Sequence, residues 1–315
     1  MQILVTCDYT LCPDALDPLK ALGQVIHIYP IDRKQLREQI VNVDAWLCFT
    51  SVKVDREVLA AARRLRVVAT PSTGTDHIDK QALAARNIIL LDIATEYELL
   101  EQFTATAEGA WTLLLACTRR LPMNFERAKQ GCVGVADSGH LPRQLSGKTL
   151  GVIGYGRLGR MMGQVGKAFR MRVLACDIKA VDDDGVRQVD LDTLLAESDF
   201  VSLHVHLSDQ TQCMIDRRCF SLMKRGAVLV NTARGDLLDE AALLDALESG
   251  QVGAAGLDVV HDEWDPQLAQ HPVIEYASNH DNLIITPHVA SACIESIAGA
   301  RIFIAQKLAT HLETI

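Results

Sequence analysis

The 315-residue chain has no internal repeat and no low-complexity segment, and its composition, 49% hydrophobic and 23% charged with 20 Gly and 9 Pro, is that of an ordinary globular protein. Disorder and collagen-like order are thereby excluded. It lacks an excess of basic residues: 31 Lys plus Arg stand against 40 Asp plus Glu, a formal charge of -9. Such a surface repels polyanions, so no nucleic-acid partner is expected. The one local basic run, Arg63-Arg64-Leu65-Arg66, is expected to be a solvated helix face. There is no C-x-x-C pair and no Cys/His spacing suited to zinc; the nine cysteines, scattered from Cys7 to Cys293, read as reduced thiols of a cytoplasmic protein without a metal site. The longest uncharged apolar stretch, around Ala110 to Cys117, is far short of the roughly 20 residues a bilayer requires. The N-terminal residues Met1 to Asp8 carry no basic segment, so neither membrane insertion nor secretion is expected.

What is there is a strand-helix alternation, long enough at about 150 residues per domain for two domains. Short apolar runs at Ile3-Val5, Val25-Ile28, Ala45-Phe49, Val67-Thr70 and Ile88-Asp92, with helix-like segments such as Asp32-Ile40 and Arg56-Arg63 between them, predict a small unit of parallel strands buried on both faces. Tyr97 to Thr118 reads as one or two helices, and a loop with Gly131, Gly134, Gly139 and Pro142 spans Gly131 to Ser146. A second alternation follows, with strands expected at Thr149-Ile153, Arg172-Cys176, Phe200-His204, Ala227-Asn231, Ala254-Val259 and Asn282-Thr286. Six such strands predict a complete doubly wound parallel Rossmann sheet. The tail, Ser296 to Glu313, is helical and too short to fold alone, so it is expected to pack back onto the first unit.

Directly after the strand ending at Ile153 comes Gly154-Tyr155-Gly156-Arg157-Leu158-Gly159, a G-x-G-x-x-G followed by helix-like Arg160 to Phe169. In this setting the first glycine permits the tight turn, the second lets backbone approach a pyrophosphate, and the third lets helix and strand pack closely. The helix start offers free N–H donors to phosphate. Asp177 ends the next strand, 23 residues after Gly154 and 18 after Gly159, where a carboxylate accepts hydrogen bonds from ribose hydroxyls and repels a 2′-phosphate. NAD is therefore favoured over NADP; Ile178 leaves room for adenine, and Lys179 softens the selectivity.

Three polar residues leave the carboxyl ends of three strands of this sheet, the side on which open α/β sheets bind ligands: Arg234, Glu263 and His288. Singly each has a plain account, a surface ion pair for the Arg and a loop filler for the His. Together beside a dinucleotide they make a hydride-transfer site. Arg234 can hold a carboxylate bidentately, His288 can protonate a carbonyl oxygen, and Glu263 can orient the imidazole.

With Thr73 to Asp79, Thr106-Ala107-Glu108, Leu150 to Gly159, Val230 to Gly235, Gly256 to Val259 with Glu263, and Thr286-Pro287-His288, the chain resembles the D-isomer-specific 2-hydroxyacid dehydrogenases over nearly its whole length. The resemblance implies a discontinuous, flavodoxin-like α/β substrate domain (1–100 and 289–315) flanking the NAD-binding Rossmann domain (101–288). It implies Arg234, Glu263 and His288 as the catalytic set, and substrate contacts from Ser72, Thr73 and Gly74. Gly156, Arg157 and Leu158 would cradle the pyrophosphate, Val205 would lie against the cofactor, Thr232 and Ala233 along its nicotinamide, and Asp258 would bind the carboxamide. The implied protein is a cytoplasmic homodimer that interconverts a small 2-hydroxy acid and its 2-keto acid. Formate-oxidising relatives pair Gln with His, so Glu263 counts against that chemistry. A rival from another class is a non-catalytic, NAD-sensing corepressor-like protein of the same fold. The sequence departs from the family at Phe49, where phosphoglycerate-specific relatives carry Arg, so a phosphate anchor is missing. It departs also at Ile93 to Glu98, which replaces an Asn-x-Pro-Gly turn, and at His206 and Trp264, each in place of Pro.

Overall fold

The computed structural model describes residues 1–134 and 141–314. They form two compact units, Met1–Phe103 with Cys293–Ile315, and Thr104–Ala292. Gly139 of the expected glycine-rich loop lies outside the described residues.

The first unit runs β1 (Gln2–Val5), α1 (Asp17–Leu22), β2 (Gln24–His27), α2 (Arg33–Gln39), β3 (Ala45–Leu47), α3 (Arg56–Ala61), β4 (Val67–Ala69), α4 (Lys80–Ala85), β5 (Ile89–Leu91) and α5 (Tyr97–Glu101). The strands form one parallel sheet in the order β2-β1-β3-β4-β5, the flavodoxin order. Strands β3 and β4 are buried at every residue, which is why they read as unbroken apolar runs. Asp32, Asp55 and Asp79 cap α2, α3 and α4, each carboxylate accepting a backbone N–H from the first turn. The basic run departs from expectation: α3 ends at Ala61, and Arg63, Arg64 and Arg66 are exposed in the turn into β4. Leu65, within the run, is buried at 5% exposed.

The second unit opens with two helices, α6 (Ala105–Arg119) and α7 (Leu121–Lys129), and continues β6 (Thr149–Ile153), α8 (Arg157–Ala168), β7 (Arg172–Cys176), β8 (Val186–Gln188), α9 (Leu191–Glu197), β9 (Phe200–Leu203), α10 (Arg217–Leu222), β10 (Ala227–Asn231), α11 (Glu240–Glu248), β11 (Val252–Leu257), α12 (Pro272–Asn279) and β12 (Leu283–Ile285). The parallel sheet has seven strands, not six, in the order β12-β11-β10-β9-β6-β7-β8. The additional β8 pairs only with β7, at the edge, and two of its three residues are exposed, so no apolar run announces it. Helix α7 was equally unannounced, since it buries no residue. The order reverses beside β6, whose neighbours are β7 and β9, and this is the crevice where doubly wound sheets bind ligands.

The last helix, α13 (Ile294–Leu312), returns to the first unit as expected, burying Ala300, Ile304, Ala305 and Leu308 in the core that holds Ile3, Val5 and Leu19. Lys307 ties it down, donating to the Asp92 carbonyl and the Glu96 carboxylate.

Candidate active site

The glycine loop is built as its spacing predicted. Gly154 lies in the left-handed region at φ +86, and a Cβ there would meet the His204 carbonyl oxygen at 2.6 Å and Val205 Cγ1 at 2.8 Å. Val205, leaving β9, thus packs directly on the loop. At Gly159 a Cβ would sit 2.1 Å from the Gly154 carbonyl oxygen, so only glycine allows α8 this close to β6. Gly156 differs, because a Cβ there would meet nothing within 4 Å. That open space lies at the N-cap of α8, where no side chain caps the helix, and its first N–H groups are available to an anion. Helix α8 starts at Arg157, three residues before its expected start, so Arg157 and Leu158 belong to its first turn, both partly buried.

Asp177 turns towards this loop, accepting the Tyr155 N–H at 2.7 Å and the Lys179 N–H at 2.8 Å. Gln188 of β8 braces the same segment, donating to the carbonyls of Asp177 and Lys179 and accepting the Val181 N–H. Ile178 between them is fully exposed. The Tyr155 side chain is buried against Gly163, and its hydroxyl donates to Asp183, which also pairs with Lys167.

The turn after β10 is shaped by a residue that the motif reading passed over. Asn231, wholly buried, donates from Nδ2 to the Arg234 carbonyl at 2.7 Å and accepts the Ala233 N–H at 3.0 Å. The turn therefore presents Thr232, Ala233 and Arg234 in a fixed conformation. The next residue, Gly235, lies so close to the Val260–His261 peptide that a Cβ would stand 2.2 Å from the Val260 carbonyl carbon. The Arg234 and Glu263 turns consequently touch through backbone. His261 reinforces the contact: Nδ1 donates to Asp236 at 2.6 Å, and Nε2 lies 3.2 Å from Asp262. Burial works against the charge on His261, but Asp236, Asp262 and Glu240 outweigh it and hold its pKa above the ordinary value. Glu240 accepts the His261 N–H at 2.8 Å, and burial raises the pKa of its own carboxyl.

After β12, His288 occupies the left-handed region at φ +53, a costly conformation for a residue with a Cβ. Asp258, 2% exposed, compensates. Its carbonyl accepts the His288 N–H at 2.8 Å, and its carboxylate accepts the N–H of Val289 at 2.9 Å and of Ala290 at 2.8 Å together with the Thr286 hydroxyl. Asp258 is thus a brace for the histidine turn, a part that sequence reasoning missed. Gly109 of α6 leaves the room, since a Cβ would come within 2.7 Å of Ala290 Cβ. The imidazole so presented donates from Nδ1 to Glu263 Oε1 at 2.6 Å, with the two side chains 28% and 17% exposed. Nδ1 being engaged, Nε2 is the nitrogen left to meet a ligand.

Two observations test whether a nicotinamide dinucleotide fits. The space above Gly156 at a helix start with no side-chain cap suits a pyrophosphate, and the buried Thr232 hydroxyl has no hydrogen-bond partner among the described residues. The residues present fit the group. Ser72, Thr73 and Gly74 belong to the first unit, in the loop between β4 and α4, with Ser72 and Gly74 partly buried and Thr73 exposed. His206 is exposed beyond β9, while burial pushes the nearby His204, hydrogen-bonded to Ser202, down to about 4. Among the described residues no helix is long and apolar enough to cross a membrane, and no group of His, Cys, Asp or Glu could hold a metal.

The sequence profile of the NAD-binding domain of D-isomer specific 2-hydroxyacid dehydrogenases matches residues 111–290, and that of their catalytic domain matches residues 3–98. The chain belongs to this family. It is 33% identical over 283 residues to the hydroxypyruvate reductase of Thermotoga maritima, covering 90% of this chain and 89% of that protein. It is 33% identical over 319 residues to the D-3-phosphoglycerate dehydrogenase of Archaeoglobus fulgidus, covering 98% of this chain but only 56% of that protein. The chain therefore spans little more than half of that relative. The crystal structure of the D-lactate dehydrogenase of Aquifex aeolicus, complexed with NAD and lactic acid, superposes with a TM-score of 0.87 at 30% identity, covering 100% of this chain and 96% of that one. These relatives give the non-catalytic alternative no support.

Proposed function

We propose that the chain is an NAD-dependent oxidoreductase interconverting a small D-2-hydroxyacid and its 2-keto acid. The observation that carries this reading is the His288–Glu263 pair, 2.6 Å apart, on a left-handed turn that Asp258 braces. When bound, NAD supplies hydride transfer to or from the substrate's C2. In the reducing direction His288 donates the Nε2 proton to the carbonyl oxygen while Glu263, accepting from Nδ1, stabilises the charged ring beforehand. In the oxidising direction Nε2 takes the hydroxyl proton. Arg234 holds the substrate carboxylate in a forked hydrogen bond. Within the cofactor-binding loop from Gly154 and Tyr155 to Gly159, residues Gly156, Arg157 and Leu158 cradle the pyrophosphate; Asp177 takes the adenosine ribose, Val205 lies against the cofactor, Thr232 and Ala233 lie along the nicotinamide, and Asp258 is at its carboxamide.

The working form proposed is a cytoplasmic homodimer paired through the nucleotide-binding unit. Helix α7 supports the pairing, since it buries nothing and exposes Leu121 (57%) and Phe125 (60%). The nine free cysteines, three of them exposed, suit a reducing compartment. The test is NADH oxidation with a panel of glyoxylate, hydroxypyruvate, pyruvate, longer 2-keto acids and 3-phosphohydroxypyruvate. At least one is expected to turn over, and His288→Ala is expected to lower kcat on the order of 100-fold or more while NADH binding persists. Undiminished turnover by His288→Ala would sink the reading.

A further inference from the structure

We propose that Trp264 contacts the substituent that the substrate carries beyond C2, and that the chain therefore selects 2-keto acids with an apolar, uncharged side chain. The inference rests on the reading of His288 as the proton donor. The chain has three tryptophans, of which Trp46 and Trp111 are 0% and 6% exposed whereas Trp264 is 52% exposed. An indole this open is unusual, because burying it removes about 150–250 Å² of surface from water. Its place is equally specific. It follows Glu263 in the chain, and its ring centre lies 6.2 Å from that of His288, tilted by 39°.

Glu263 takes Nδ1 of His288, so the carbonyl oxygen must approach Nε2, at a hydrogen-bond distance of about 3 Å. With C2 bonded to that oxygen and C3 to C2, the substituent begins within about 4–6 Å of the imidazole, and the indole centre stands next to that range, 6.2 Å from the imidazole centre. The charge around the indole points the same way. Asp262, Glu263 and Asp265 flank it, and the Asp262 side chain is 68% exposed. A phosphate or carboxylate on the substituent would meet like charge there, whereas a branched hydrocarbon would gain the indole face. His261 of the same turn is already hydrogen-bonded to Asp236.

The experiment measures kcat/KM for 2-ketoisocaproate and for glyoxylate, which has no substituent, in the wild type and in Trp264→Ala and Trp264→Phe. The wild type is expected to prefer 2-ketoisocaproate to 3-phosphohydroxypyruvate. The ketoisocaproate-to-glyoxylate ratio should fall about 10- to 100-fold in Trp264→Ala and recover to within a few-fold in Trp264→Phe. In parallel, 2-ketoisocaproate titrated into the NAD⁺-loaded protein should change tryptophan emission in the wild type and not in Trp264→Phe. A ratio within threefold of wild type in Trp264→Ala, or a wild type that prefers the phosphorylated acid, overturns the inference while leaving the proposed reaction intact. A wild type that turns over none of these acids overturns both.

Discussion

The two units solve the same architectural problem and finish it in opposite ways. In each, a parallel sheet reverses its order beside its first strand, at β1 with neighbours β2 and β3, and at β6 with neighbours β7 and β9. Beyond β1 the chain fills the crevice with its own side chains. Thr6, Cys7 and Tyr9 are at most 1% exposed, the Trp46 indole N–H donates to the Thr6 hydroxyl at 2.9 Å, and the Tyr9 hydroxyl donates to the Arg301 carbonyl at 3.1 Å. Beyond β6 it places Gly154 and Gly159, which let backbone pack closely, and Gly156, which leaves a hollow over a helix start with no side-chain cap. Topology offers a ligand site at each reversal, and the residues leaving the central strand decide whether it stays open.

The largest effect expected from breaking this contrast is at Gly159. Gly159→Ala forces a methyl group to 2.1 Å from the Gly154 carbonyl and should abolish NADH binding, read by fluorescence titration, with a lowered Tm. Gly156→Ala is the informative partner: with nothing within 4 Å it should leave Tm unchanged and weaken NADH by roughly tenfold, because the methyl occupies the hollow itself. Equal damage from both would mean that the hollow is not the nucleotide's place.

A smaller effect should separate the units by pH. Burial holds His204 of the second unit at about 4 against an ordinary 6.5. As pH falls below 6.5 the unfolded chain takes up a proton that the folded chain refuses until about pH 4. Stability is therefore complete above 6.5 and lost progressively between 6.5 and 4. In the first unit burial pushes Cys48 up to about 12 and raises Cys7 and Tyr9, all outside that window. Tm measured from pH 7 to pH 4 should fall less steeply in His204→Gln than in the wild type, and an unchanged slope would assign the acid limb elsewhere. The smallest effect is Tyr9→Phe, which removes one buried hydrogen bond and should cost about 1 kcal/mol in denaturant unfolding with NADH affinity unaltered.

Most of the fold was legible because the buried parallel strands are mostly apolar runs, a local signal that survives without partners. The exceptions share a cause. Strand β8 exists because β7 offers it an edge, and α7 buries nothing, so neither writes a pattern into its residues. The site divides in the same way. Gly154, Asp177, Arg234, Glu263 and His288 stand at strand ends and could be named from order along the chain. Gly235, His261 and the bracing role of Asp258 could not, since each acts on a segment reached only through the sheet or through an adjoining turn, while Asn231 acts within its own turn, on residues two and three positions along.

The sequence alone, then, determined the type and order of the elements, the glycine loop and the chemical identity of the polar groups that leave the strands, because these depend on periodicity and on residues near one another in the chain. Only the tertiary structure decided the left-handed turn of His288 with its Asp258 brace, the 2.6 Å approach of Glu263 from 25 residues away, and the exposed indole of Trp264 beside them. Those features are set by backbone hydrogen bonds and close packing between segments that sequence order leaves apart, and a distance of that kind has no local signature.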